Sequence, residues 1–150
     1  MKERWLYLVA TCGGIGYARI APGTFATAAA LPLHWALELL PAALHFAVAI
    51  AVTAAAVWVA GRVCRALAAH DPQIVVIDEM AGALLALWLV GDLGLAWELG
   101  AAVLFRLLDI AKPWPLRRLE ACRPEGVGVV ADDVAAGVIA GLAARLLGSL

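Results

Sequence analysis

From Ala42 to Ala60 the chain runs for 19 residues without an Asp, Glu, Lys or Arg. As a helix rising about 1.5 Å per residue, this run is long enough to cross most of the roughly 30 Å hydrocarbon core of a bilayer. Burial inside a water-soluble domain is the other way to shelter it, and the composition argues against that. Hydrophobic residues make up 65 % of the 150-residue chain and charged residues 15 %, with a mean hydropathy of +0.92; globular domains average about 45–50 % and 25 %. A domain of this size has much surface for its volume, so the apolar excess must face lipid or a partner. The chain reads as one integral-membrane domain over residues 1–150. Disorder is excluded by the apolar content, and a basic nucleic-acid binder by the balance of 11 Lys and Arg against 12 Asp and Glu.

Other apolar stretches cover Thr24–Leu40, Met80–Val90, Leu95–Phe105 and Val134–Leu147, each short or interrupted for a full span. Pro41 separates the first two segments, and Gly91-Asp92-Leu93-Gly94 reads as a tight turn. The expectation is an all-α compact bundle of about five or six helices, with Arg62 to His70 as an interfacial amphipathic helix ended by Asp71-Pro72. If the chain starts inside and alternates, Lys2, Arg4, Arg19, Arg62, Arg65, Arg106, Lys112, Arg117, Arg118 and Arg123 share one side, leaving Arg145 for the other. The positive-inside rule makes the crowded side cytoplasmic. Trp5, Trp35, Trp97 and Trp114 fall near segment ends, where indoles anchor at the interface. Gly137 and Gly141 form a small-xxx-small pair, read as internal helix packing rather than as a dimer signal, although an oligomer is compatible with the pattern. The N-terminal apolar run from Trp5 to Cys12 lacks a clean cleavage site and is expected to be retained. Cys12, Cys64 and Cys122 lack a C-x-x-C pair, which points to incidental thiols.

Ionisable groups beside spanning segments are costly, so their clusters call for a function. Asp78-Glu79 opens the Met80 segment and Asp132-Asp133 opens the Val134 segment. Both pairs are expected at cytoplasmic helix starts, where the helix dipole favours negative charge. Capping needs one acceptor, whereas the second acid of each pair points about 100° further round the helix. Carboxylates so gathered repel unless a cation lies among them, and a hard oxygen set suits Mg²⁺, which also pairs with phosphate oxygens. His34, His45 and His70 have no ligand spacing.

Cations accompany the acids. Arg106, Asp109 and Lys112 recur every three residues, so Asp109 can pair with either cation, and Pro113 and Pro115 fix Lys112 at the last helical turn. Upstream, Gly13-Gly14-Ile15-Gly16 and Ala21-Pro22-Gly23-Thr24 make a glycine-rich approach to a helix, with Thr24 as its expected N-cap and nearby N–H groups available to an anion. Gly126-Val127-Gly128 reads as a flexible turn before the second acid pair.

Four stretches taken together resemble the phosphatidylglycerophosphatase A family. They are Ala21-Pro22-Gly23-Thr24; Asp71-Pro72 with Ile77-Asp78-Glu79-x-x-Gly82; Phe105-Arg106-x-x-Asp109-Ile110-x-Lys112-Pro113-Trp114-Pro115; and Gly126-x-Gly128-Val129-x-x-Asp132-Asp133-x-x-Ala136-Gly137. Arg19, Ala26-Thr27 and Glu125 depart from the family's usual residues in the loops. The resemblance implies an all-helical fold packed around a central helix. It also implies a Mg²⁺-dependent phosphatase of the bacterial inner membrane, acting at its cytoplasmic face on phosphatidylglycerophosphate in phospholipid biosynthesis. Asp78, Glu79, Asp132 and Asp133 are the expected metal ligands, with Asp109 and Lys112 completing the catalytic set. Gly23, Thr24, Arg106 and Lys112 are the expected phosphate-binding residues. Attack by water and attack by a carboxylate to form an aspartyl-phosphate both fit this set.

The alternative is a small ion- or proton-coupled transporter, since membrane carboxylates also relay ions. A transport site is expected near the midplane, whereas these acids gather at one interface. A purely structural membrane subunit would explain the glycines and tryptophans but leave the acid pairs without a purpose.

Overall fold

The computed structural model describes residues 4–120, 122 and 124–150. Lys2 and Arg123, two of the cations expected on the crowded side, lie outside the described residues. Among the described residues seven α-helices follow one another: α1 (Arg4–Ala10), α2 (Pro22–Leu37), α3 (Ala42–Leu67), α4 (Ile77–Val90), α5 (Leu95–Ala111), α6 (Leu116–Glu120) and α7 (Glu125–Gly148). Short 3-10 turns cover Ile15–Tyr17 and Gly91–Leu93, the latter where the glycine-bounded turn is expected. No strand occurs among the described residues.

The count exceeds the five or six expected, because the N-terminal run and the basic segment after Pro115 each form a short helix, α1 and α6. Two boundaries also move. Arg62 to His70 is not a separate interfacial helix: α3 continues through Gly61 to Leu67, since Val63 and Cys64 remain buried on the same face, and it stops at Ala68 in a left-handed conformation. Nor is Gly126-Val127-Gly128 a flexible approach. It lies inside the first turns of α7, where a Cβ on Gly126 would stand 2.2 Å from the Val57 carbonyl oxygen of α3.

The centre of the bundle is α4. Eleven of its residues are buried, Met80 through Leu87 without a break, and a helix that is apolar all round belongs in a core. The closest packing joins α4 to α7. A Cβ on Gly137 would stand 2.1 Å from the Gly82 carbonyl oxygen, and one on Gly82 would stand 2.5 Å from the Asp133 carbonyl oxygen. These absent side chains let two backbones touch, as small residues do between helices in lipid. Gly141 likewise packs on Ala86 and Leu89, so the small-xxx-small pair serves internal packing.

Among the described residues, α3 and α7 are the two helices long and apolar enough to cross a membrane. In α3 only 22 % of the apolar window is buried against the rest of the chain. Leu44, Phe46, Ile50 and Trp58 of α3 are exposed, as are Leu99, Val103 and Leu107 of α5. α4, at 14 residues, is about 21 Å long and too short to cross unaided.

Candidate active site

Three helix ends and the interior of a fourth helix meet at one end of the bundle: the starts of α2 and α4, the end of α5 and the third turn of α7. A cavity of about 380 Å³ lies between them, lined by Gly23, Asp78, Glu79, Arg106, Asp109, Lys112 and Asp133, with Arg19, Asp71 and Gln73 at its exposed rim.

Asp78 and Glu79 sit in the first turn of α4, as the sequence suggests, and the Glu79 amide donates to Asp78 Oδ1 at 3.1 Å. Asp132 and Asp133 do not open a helix. α7 begins at Glu125, which puts the pair two turns inside and removes capping as their role. Being adjacent on a helix, they point in different directions. Asp133 faces α4, where its carboxylate and those of Asp78 and Glu79 offer oxygens within 4.8 Å of one another. Asp132 faces the other way and accepts a 2.7 Å ion pair from Lys112 Nζ. The expected set of four carboxylates is thus drawn as three together and a fourth on a lysine.

Lys112 reaches Asp132 because of the proline that follows it. Pro113 disfavours the right-handed helical conformation at the preceding residue, and Lys112 caps α5 at φ 40 instead. In that turn it reaches Asp132 of α7, while Asp109 pairs with Arg106 one helical turn back. Arg106 also approaches Glu79 Oε1 at 3.7 Å, and Asp109 lies in hydrogen-bond reach of Asp133.

Five carboxylates therefore converge on two cations, Arg106 and Lys112. Burial, then the neighbouring Glu79, raises Asp78 well above the usual carboxylate range. Burial pushes Glu79 up to about 6. Glu79 Oε2 and Asp132 Oδ1 are buried without a hydrogen-bond partner. Excess buried negative charge with orphaned oxygens is the condition a divalent cation relieves, and an all-oxygen donor set suits Mg²⁺.

The α2 start differs from expectation. Ala21, at φ 46, takes the N-cap position and Thr24 falls within the first turn. The amides of Thr24 and Phe25 both donate to the Ala21 carbonyl, which leaves this helix start little to offer an anion. Gly23 is needed for closeness: a Cβ there would stand 2.0 Å from Glu79 Oε1 and 3.0 Å from Arg106 Nη1. Thr24 is exposed and lines a neighbouring groove of about 270 Å³ between α2 and α5, with Leu31, Leu99, Val103 and Leu107. Arg106 borders both this apolar groove and the acidic cavity.

Nothing in the spacing of Arg19 and Gln73 marks them for the site, whereas Asp71 stands beside Pro72 in the second family stretch. A further cluster has no signature in the sequence. His34 of α2 and Glu38, its C-cap, meet Glu98 of α5 at the opposite end of the bundle, so the histidines do include a ligand-like arrangement that spacing does not reveal.

The chain matches the phosphatidylglycerophosphatase A family over residues 8–148. It is 32 % identical to phosphatidylglycerophosphatase A of Escherichia coli (strain K12), across 93 % of this chain and 80 % of that protein. It is 31 % identical to phosphatidylglycerophosphatase A of Haemophilus influenzae, across 90 % and 83 %. A Bacteroides thetaiotaomicron protein provisionally named as a phosphatidylinositol-3-phosphatase is 38 % identical across 87 % and 86 %. No solved structure matches the chain.

Proposed function

Since this chain belongs to the phosphatidylglycerophosphatase A family of lipid phosphatases, we propose that its acidic cavity removes the terminal phosphate of phosphatidylglycerophosphate at a membrane interface, with Mg²⁺ as cofactor. One observation carries this reading above the others. Asp78, Glu79 and Asp133 come within 4.8 Å of one another, in a cavity that shares Arg106 with an apolar groove. A metal-binding pocket beside an apolar slot suits a phosphate carried on a lipid.

Asp78, Glu79 and Asp133 would hold Mg²⁺, and a bound Mg²⁺ neutralises phosphate charge and lowers the pKa of a coordinated water. Arg106 and Lys112 are the groups for the phosphate oxygens. Each is already held by a carboxylate, Arg106 by Asp109 and Lys112 by Asp132, so the cations are positioned before substrate arrives. Arg106, at the border of the two spaces, is placed to bind phosphate while the groove takes the first carbons of an acyl chain. Asp109, in reach of Asp133, is the acid able to accept a proton from the attacking group.

The apolar faces of α3, α5 and α7 support a multi-pass protein of the bacterial inner membrane, and Arg4, Arg19, Arg117 and Arg118 argue for a cytoplasmic site through the positive-inside rule. A transporter is the weaker reading, because the acids collect at one end of the helices rather than at their middle.

The test is phosphate release from phosphatidylglycerophosphate in detergent micelles, with Mg²⁺ and then with excess EDTA, for the native protein and for Asp133→Asn. Metal-dependent release that Asp133→Asn loses is the expected result. No release by folded, Mg²⁺-supplied protein would overturn the proposal. Phosphatidylinositol 3-phosphate in a parallel arm decides between the two lipid classes named among the relatives.

A further inference from the structure

The end of the bundle away from the acidic cavity holds a second polar cluster that phosphate removal does not use. His34, in the last turn of α2, and Glu38, its C-cap in right-handed helical conformation, lie four residues apart and so share one face. Glu98, from the first turn of α5, meets them there. We propose that His34, Glu38 and Glu98 form a binding site for a transition-metal dication of the Zn²⁺ type, separate from the oxygen-only cluster of Asp78, Glu79 and Asp133.

Four observations carry the assignment. His34 is 1 % exposed, yet neither of its ring nitrogens has a hydrogen-bond partner, and a buried polar group left so is costly. Its Nε2 lies 3.4 Å from Glu38 Oε1 and 3.9 Å from Glu98 Oε1. Both separations are long for hydrogen bonds, and the first matches atoms that share an ion: two ligands about 2.0–2.1 Å from a tetrahedral centre stand about 3.3 Å apart. Glu98 is itself buried, and Trp35 Nε1 donates to its Oε2 at 2.7 Å, leaving Oε1 for the metal. Outer partners of this kind orient metal-ligating carboxylates. Finally, His45 of α3 is buried with an unpartnered Nε2, and its ring centroid is 5.1 Å from that of His34. Both histidines and Glu38 line a cavity of about 530 Å³, large enough for a fourth ligand such as water.

Nitrogen beside carboxylate oxygen separates the two sites chemically. Imidazole suits Zn²⁺ and its neighbours, whereas carboxylate and water suit Mg²⁺. The histidine site stands whether or not the acidic cavity is a phosphatase site.

Calorimetric titration of full-length protein in detergent with Zn²⁺, under excess Mg²⁺, tests it. The native chain and Asp133→Asn are expected to bind Zn²⁺ equally, with His34→Gln and Glu98→Gln weakened at least tenfold. Mg²⁺-supported phosphate release by His34→Gln should stay within twofold of native. X-ray absorption at the zinc edge on native protein needs no variant, and should show imidazole nitrogen in the first shell. An all-oxygen shell, no zinc binding, or zinc binding lost only in Asp133→Asn would overturn the site.

Discussion

Lys112 Nζ stands 2.7 Å from Asp132 Oδ2, across the gap between the end of α5 and the third turn of α7. Asp132 is 3 % exposed and Lys112 25 %, so the pair is mostly shielded from water and each member holds the other in place. Removing one partner leaves a buried charge uncompensated, which is more harmful than removing both.

Lys112→Met should lower thermal stability in detergent and cut phosphate release at least tenfold. The double variant with Asp132→Asn should recover most of the stability and none of the activity. Thermal unfolding and phosphate-release rates on the three proteins check this; activity restored together with stability would make the lysine a structural element alone.

Metal binding should depend on pH through the α4 acids. Burial raises Glu79 to about 6 from 4.5, so without metal the folded state holds more protons than the unfolded chain between those values. Its stability contribution is then greatest at low pH and falls as pH rises through that window. Mg²⁺ must displace the protons it competes with. The unfolding temperature in EDTA should drop from pH 4.5 to pH 7, and the rise caused by Mg²⁺ should be larger at pH 7. A Mg²⁺ effect of equal size at both pH values would count against metal binding at these acids.

Gly23→Ala tests the closeness of α2 to the site. The new Cβ would fall 2.0 Å from Glu79 Oε1, at the end of a side chain that can move. The protein should remain folded, lose at least tenfold in kcat, and need more Mg²⁺ for half-maximal rate. Gly137→Ala meets the Gly82 backbone instead, which cannot step aside, and should destabilise by about 1–3 kcal/mol.

Val103→Trp fills the groove between α2 and α5 without touching the acidic cavity. KM for a long-chain lipid phosphate should rise several-fold while the rate on a short-chain, water-soluble analogue stays near native. Steady-state kinetics on the two substrates separates the effects, and equal losses on both would remove the groove from substrate binding.

Much of this was readable in the chain itself. The uncharged run within α3, the turn at Gly91–Leu93 and the all-helical class follow from hydropathy and punctuation, which are local properties. The acids and cations of the cavity were also legible, because four short stretches carry a family pattern that now extends over residues 8–148. The short helices α1 and α6 and the helical start of α7 at Glu125 were not. There, glycine looks like a turn former until a neighbouring backbone gives it a reason to sit in a helix.

The acids and cations that line the cavity, and the family pattern that carries them, were determined by the sequence alone. Tertiary structure decided their partners: Asp133 with Asp78 and Glu79, Asp132 with Lys112, and His34 with Glu98 from another helix. The reason is geometric. Neighbours on a helix diverge by about 100°, so which side chains converge depends on how each helix is rotated and how closely it packs, and contacts such as Gly82 with Gly137 set both across 55 residues of chain.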